Sequence, residues 1–487
     1  MFHVGERNIK VNSVLNVIKT VSGILFPLIT FPYVSRILQP ENMGKVNFGS
    51  SFVSYFTLIA TLGITTYAIR ECSAVRTDRE KLGAIASEIF SINVCTTIAA
   101  YVLLAVSLIF FRRLDSYRTL IVIQSTAILF TTLGADWLNT AMEDFVYITA
   151  RTIAFQMISL ILMFVFVKTP DDYMKYAGIS VLSSSGANLL NVFYRKRYCQ
   201  VRFTSRMKWN VHFKPILLLF VMILAQNIFS SADVTMLGLM KGDFEVGIYS
   251  TAVKVENIIA QVVFSLAWVV MPRMAAYFAE GNYVKINQML KKVMGVFFLI
   301  GLPSIAGVLS LSREIVLIVG GEKYSGAEAP LRILMLAFFF SLFGGSFLGN
   351  MVLLPSKNEK TFMSICSITA VINVVLNYIL IPFWGVSGAA VTTAFSSLLI
   401  LLLLLKCKDK RIKLTYIKEV GFIPLTGSIL VFAYCYLVGM IVDNIWLKTG
   451  ICIIGGVVLY VAAMVIMKND LCIELLMSIR DKLKRHN

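Results

Sequence analysis

A run of continuous apolar stretches, each about 20 residues long, constrains this chain more than any other feature. Short polar joints such as Gln39-Pro40-Glu41-Asn42 and Lys168-Thr169-Pro170-Asp171-Asp172 separate them. Hydrocarbon offers no water to a backbone N–H or C=O, so only helices and closed barrels can cross a bilayer. Barrel strands alternate in polarity and run to about half this length. These stretches do neither, and helices follow. The chain is 57% hydrophobic and only 15% charged, where soluble proteins run near a quarter charged. It has too little polar surface to cover itself in water. The expected fold is all-α, a polytopic membrane protein with about 14 transmembrane helices from 12–35 to 449–467.

Other classes find no support. The eight cysteines form no C-x-x-C pair and there are three histidines, so no metal site, disulfide framework or cofactor is expected. No glycine-rich phosphate loop and no His-bearing triad is present, so the chain does not read as an enzyme. The first apolar segment carries Asn12, Asn16 and Lys19 and reads as a first span rather than a cleavable leader.

The net charge is +18. Most of the 45 basic residues fall in the loops after even-numbered spans and near the two ends. They are densest over 195–214, 406–418 and beyond 468. The positive-inside rule then places both termini in the cytoplasm, in keeping with an even span count. Charge dispersed through short membrane-side loops implies lipid as a neighbour and no nucleic acid.

A weak repeat runs through the sequence. Glu41-Asn-Met-Gly44 opens span 2 and Phe244-Glu-Val-Gly247 opens span 8; Gly178 in span 6 is matched by Gly385 and Gly388 in span 12. Both pairs lie six spans apart. The reading is two six-helix lobes, 1–200 and 201–410, followed by two additional helices and a basic cytoplasmic tail over 411–487. Repeated lobes around a midplane site are a common plan for secondary transporters. Small residues that let helices pack closely would leave the same trace.

Polar residues inside spans mark either a cavity or an interhelical hydrogen bond. Asn12, Asn16, Lys19 and Gly23 share one face of span 1, and Ser50, Ser54, Thr57, Thr61 and Thr65 share one face of span 2. Lys19 lies roughly 10 Å inside its span. It either meets an anion or snorkels to the surface. Asp233 and Lys254 fall at similar depth on antiparallel neighbours, as a fixed ion pair or one that opens on binding. Glu256 is an independent candidate for cation binding. Asp136, Asn139 and Glu143 cluster at the end of span 4. Arg70, Glu71 and Arg76 cluster at the end of span 2, as a phosphate-attracting mouth or as ordinary loop charge.

The chain also resembles a known group. The carriers are Phe31-Pro32-Tyr33 with Arg36 and Gly44, Leu62-Gly63 through Arg70-Glu71, and Asp136-Trp137 with Glu143-Asp144-Phe145. Asp233 through Gly238, Gly247 through Lys254, Met271-Pro272-Arg273 and Asn373 through Pro382 come after them in order. Together they are similar to the bacterial flippases of lipid-linked oligosaccharides, the O-antigen and capsule exporters of the multidrug/oligosaccharidyl-lipid/polysaccharide exporter superfamily. One stretch departs: Asn139-Thr140-Ala141 stands where that group usually carries Gln-Gly. The resemblance implies a non-enzymatic protein of the bacterial cytoplasmic membrane. It implies movement of an undecaprenyl-diphosphate-linked glycan from the inner to the outer leaflet by alternating access. An H+ or Na+ gradient and a glycan polymerase are the implied partners. Lys19, Arg36, Arg70 and Lys254 are the cations available for the diphosphate, with Asn16, Thr57 and Thr61 for the glycan. Asp233, Glu256, Asp136 and Glu143 are the acids available for ion coupling or gating. A cation-coupled multidrug antiporter and a cell-wall lipid precursor flippase are the nearest alternatives. The antiporter would favour acidic cavity residues.

Overall fold

The computed structural model describes residues 9–205 and 207–484. Among them every regular element is helical and none is a strand, as the apolar pattern requires. By contacts the chain divides into two compact units, residues 1–247 and 248–487.

The first unit holds α1 (Ile9–Thr61), α2 (Ile64–Ala74), α3 (Arg79–Phe110), α4 (Arg118–Gly134), α5 (Asp136–Ala141), α6 (Phe145–Phe166), α7 (Tyr173–Val181), α8 (Asn188–Tyr194) and α9 (Trp209–Met240). It ends within the first turns of α10 (Asp243–Ala279). α1 is two helices joined at Gln39, where φ is 63°. Pro40 supplies the cause: it lacks an N–H and drives the preceding residue out of the α region. A second break comes at Leu62 and Gly63, with φ of 41° and 77°. The Ala60 carbonyl beside this break accepts from Asn93 Nδ2 at 2.8 Å and Thr96 Oγ1 at 2.6 Å, tying α3 to α1. Gln124 Nε2 reaches the Val46 carbonyl at 2.9 Å and does the same for α4.

Helix starts carry side-chain caps. Asp78 accepts from the Lys81 amide at 3.1 Å and Asp144 from the Tyr147 amide at 3.3 Å. In the loop before α7, Asp172 accepts from the amides of Lys168 and Thr169 and from Lys175. With the Lys175 ammonium the largest cause, these donors hold its carboxyl well below the usual carboxylate range. Apolar packing where α2, α3 and α5 converge buries Ile64, Tyr67, Leu82, Ile89, Trp137 and Leu138.

The second unit continues α10 and adds α11 (Tyr283–Gly320), α12 (Glu328–Ser341), α13 (Glu359–Cys407), α14 (Ile417–Ile441), α15 (Ile445–Ile466) and α16 (Asp470–Lys484). α11 packs on α14, α12 on α13 and α14 on α15. α13 is again two helices, joined at Gly385 with φ 53°, three residues after Pro382. An amide in the core links its halves, Asn373 Nδ2 donating to Ser396 Oγ at 3.2 Å, while Asn377 Nδ2 donates to Asn373 Oδ1 at 3.1 Å within the first half. Lys448 and Glu314, both largely buried, pair at 2.6 Å across α15 and α11.

Eight described helical segments are long and apolar enough to cross a membrane, nine if the bent pair within α10 counts as one span. Both joined helices, α1 and α13, are counted once each in that number. The exterior agrees with a lipid solvent. Phe110 is 76% exposed, Phe383 79% and Ile441 81%, which water would not tolerate across so wide a surface. The chain is a multi-pass membrane protein.

Candidate functional site

The first unit holds a partly open cavity of about 500 Å³ between α1, α4, α7 and α9. Its floor is one stripe of α1 beyond the Pro40 kink: Asn47, Ser50, Ser54, Thr57 and Thr61. These positions recur every three or four residues, so one helix face carries them all. Gln124 contributes from α4, Tyr176 and Ser180 from α7, and Asn227 from α9. Ser184 joins them from Leu182–Gly186, which winds as a π-helix. Such wide turns displace a side chain from the regular helical register. Among the described lining residues none is charged.

Hydrogen bonding fixes what this wall offers. Thr57 Oγ1 donates to the Val53 carbonyl at 3.1 Å, Thr61 Oγ1 to that of Thr57 at 2.9 Å, and Ser54 Oγ to that of Ser51 at 2.7 Å. A hydroxyl has one proton and two lone pairs. With the proton committed to the helix, lone pairs remain to accept. Asn47 Nδ2 is buried without a hydrogen-bond partner among the described residues.

Beside the cavity's helices lies a second polar group. Asp136 opens α5 after a left-handed break at Ala135, φ 44°. It pairs with the Arg151 guanidinium of α6 and accepts from Asn139 at 3.0 Å and Asn191 at 3.3 Å. Arg151 also donates to Asn188 Oδ1 at 3.1 Å and lies over the Tyr147 ring. Its side chain is 4% exposed, while that of Asp136 is 35% exposed. Asp144 accepts from the hydroxyls of Tyr194 at 2.9 Å and Tyr198 at 2.7 Å. Glu88 of α3 takes His212 Nε2 at 2.8 Å and Lys208 at 3.0 Å, and the Tyr67 hydroxyl meets His212 Nδ1 at 2.7 Å.

Of the residues singled out in the sequence, Thr57 and Thr61 line the cavity together with Ser50 and Ser54. Thr65 does not; the break at Leu62–Gly63 turns it to the exposed surface of α2. The side chains of Asn12 and Asn16 lie outside the described residues. Lys19 is half-buried on α1, with no carboxylate at ion-pair distance among the described residues. Arg36 is exposed on α1, three residues before the kink. Arg70 is exposed and pairs with Glu71 at 2.9 Å. None of these three cations lines the cavity. Glu143, at φ 55°, pairs with Arg76 at 2.7 Å. Asp233 is buried in α9 of the first unit; Lys254 and Glu256 are half-buried in α10 of the second. Sequence reasoning missed Gln124, Tyr176, Ser180, Ser184, Asn227 and Arg151. Each is a polar residue inside an apolar stretch. Only Tyr176, Ser180 and Ser184 repeat at helical spacing.

A family model described as polysaccharide biosynthesis protein matches residues 9–278. The chain belongs to that family. A second model, MatE, matches residues 219–379 of this polysaccharide biosynthesis protein. It is 22% identical over 78% of its length to a Shigella dysenteriae protein named as an O-antigen transporter, of which 95% is covered. It is 28% identical over 34% of its length to a Haloferax volcanii protein named as a low-salt glycan biosynthesis flippase, of which 35% is covered. In fold it is similar to the lipid II flippase MurJ in an inward closed conformation, with a TM-score of 0.77 and 15% identity. That similarity covers 95% of this chain and 99% of the other. The family match and the shared fold put this polysaccharide biosynthesis protein in the exporter superfamily that the sequence resembles.

Proposed function

We propose that this protein is a flippase that carries a polyprenyl-diphosphate-linked oligosaccharide from the inner to the outer leaflet of the cytoplasmic membrane, for surface polysaccharide synthesis. One observation carries the reading: a helical membrane protein of the polysaccharide biosynthesis family holds a roomy cavity into which a stripe of hydroxyls and amides faces among apolar side chains. A glycan dragged through hydrocarbon would strip water from many hydroxyls, at roughly 2–7 kcal/mol for each left unpaired. A polar wall inside the bundle removes most of that barrier.

In this reading two six-helix lobes, 1–200 and 201–410, rock around the substrate, with two further helices behind them and both termini cytoplasmic. About 14 crossings result once both halves of α1 and of α13 are counted and α4, α7 with α8, α9 and α10 are added. Thr57, Thr61 and Asn16 face the glycan, while Lys19, Arg36, Arg70 and Lys254 meet the diphosphate as it enters and leaves. Asp233, Glu256, Asp136 and Glu143 couple or gate the cycle with H+ or Na+. A glycan polymerase receives the product.

Deleting the gene in the native host tests this. The expected result is loss of surface polysaccharide with its lipid-linked precursor accumulating in the cytoplasmic leaflet, reversed by the intact gene. Unchanged glycan and precursor, in a host with no second exporter, would remove the reading. The MatE match over 219–379 favours one other reading, a cation-coupled multidrug antiporter. Drug resistance on overexpression without a glycan phenotype would favour it.

A further inference from the structure

The cavity presents hydroxyls and amides and, among its described lining residues, no charge, and its bearing on substrate choice rests on the flippase reading. The hydroxyl protons of Ser54, Thr57 and Thr61 are spent on carbonyls of their own helix. Ser184 Oγ lies 3.3 Å from both the Val181 carbonyl and Ser185 Oγ. What Ser54, Thr57 and Thr61 turn outward is therefore lone pairs, while Asn47 Nδ2 on the same stripe is a donor without a partner among the described residues. Asn227, with Oδ1 3.4 Å from Ser54 Oγ, adds an amide that can both donate and accept. No described lining residue is a cation.

Such a wall suits a ligand rich in hydrogen-bond donors and without charge. Sugar hydroxyls and acetamido N–H groups donate to lone pairs at little cost. A carboxylate is acceptor-only. Placed here it would meet hydroxyls whose protons are committed and find no cation among the described lining residues, the arrangement that makes a desolvated charge expensive. Specificity achieved by such a mismatch needs no special contact to the favoured ligand.

We infer that the cavity between α1, α4, α7 and α9 is a selectivity site for the sugars of the lipid-linked glycan, admitting neutral hexoses and N-acetylhexosamines and rejecting uronic and other acidic sugars. The diphosphate is bound elsewhere, at the cations outside this wall. Thr57 sits on the stripe with polar neighbours one turn away on either side, so it is the position at which charge would be read.

The test uses the full-length protein in vesicles of phosphatidylethanolamine and phosphatidylglycerol. Two polyprenyl-diphosphate trisaccharides are compared, identical except that one carries a hexuronic acid in place of a neutral hexose. The wild-type protein is expected to translocate the neutral compound at least about tenfold faster. Thr57→Lys is expected to narrow or reverse that ratio. Thr57→Val, which keeps the shape and removes the hydroxyl, is expected to slow the neutral compound several-fold without admitting the acidic one. Equal wild-type rates for the two compounds would overturn the inference and leave the flippase reading standing. So would a ratio unmoved by Thr57→Lys in protein that still transports. Translocation of neither compound would count against the flippase reading itself.

Discussion

Replacing Asp136 with alanine is expected to destabilise the protein by about 3–5 kcal/mol, whereas replacing Arg151 should cost only about 1–2 kcal/mol. The two residues form one ion pair, yet their surroundings differ. Arg151 is 4% exposed and Asp136 35%. Removing the carboxylate strands a buried guanidinium whose remaining described acceptor is Asn188 Oδ1. Removing the guanidinium leaves a carboxylate that is already a third exposed and that keeps Asn139 and Asn191 as donors. Most of the gap should close in a double variant, Asp136→Ala with Arg151→Met, because no charge is then left behind. Thermal unfolding of the four proteins in one detergent gives the cycle. Equal losses from the two single variants would mean that the pair is far more hydrated than the geometry indicates.

The second large effect lies at two glycines of the first unit. A Cβ at Gly44 would run into the carbonyl oxygen of Asp243, and a Cβ at Gly247 into that of Pro40. The two sites are reciprocal, each helix start resting on the backbone of the other. In both cases the obstacle is backbone, which cannot rotate out of the way as a side chain can. Gly44→Ala and Gly247→Ala are each expected to lose about 1–3 kcal/mol, and the valine variants more. Gly23 and Gly307 are the controls, since a Cβ there meets nothing within 4 Å. Their alanine variants should be neutral or stabilising by up to about 1 kcal/mol, because glycine is a poor helix former. Thermal unfolding that ranks the four variants otherwise would contradict the close approach.

These glycines show how far the sequence can be read. Gly44 and Gly247 stand out there as corresponding positions of a weak repeat. That they touch is a tertiary fact with no linear signature. The polar stripe of α1 is more legible: hydroxyls at helical spacing on an apolar helix must face something other than lipid. Thr65 belongs to the same sequence pattern and leaves the stripe only because the chain breaks at Leu62–Gly63. A glycine there is a hint that a helical wheel ignores. The cations are the least legible. Lys19, Arg36 and Arg70 are conspicuous as charges, but the first two precede the Pro40 kink and the third follows the Leu62–Gly63 break, so all three lie off the stretch of α1 that lines the cavity. Arg151 is conspicuous in the same way inside the stretch 150–167. Its partner Asp136 lies fifteen positions earlier, brought near by the turn from α5 into α6. An intrahelical spacing search passes over such a pair.

Translocation by the purified protein is the decisive experiment for the flippase assignment. The full-length chain is reconstituted in liposomes that carry the native host's polyprenyl-diphosphate glycan in both leaflets. A membrane-impermeant glycosidase added outside then reports how much glycan becomes accessible over time. Protein-free vesicles should stop with the outer leaflet consumed, because the glycan crosses hydrocarbon too slowly. With the protein present, the inner-leaflet pool should become accessible at least about tenfold faster than in protein-free vesicles. An inner pool as protected as in empty liposomes, with the protein folded and inserted, would contradict the assignment.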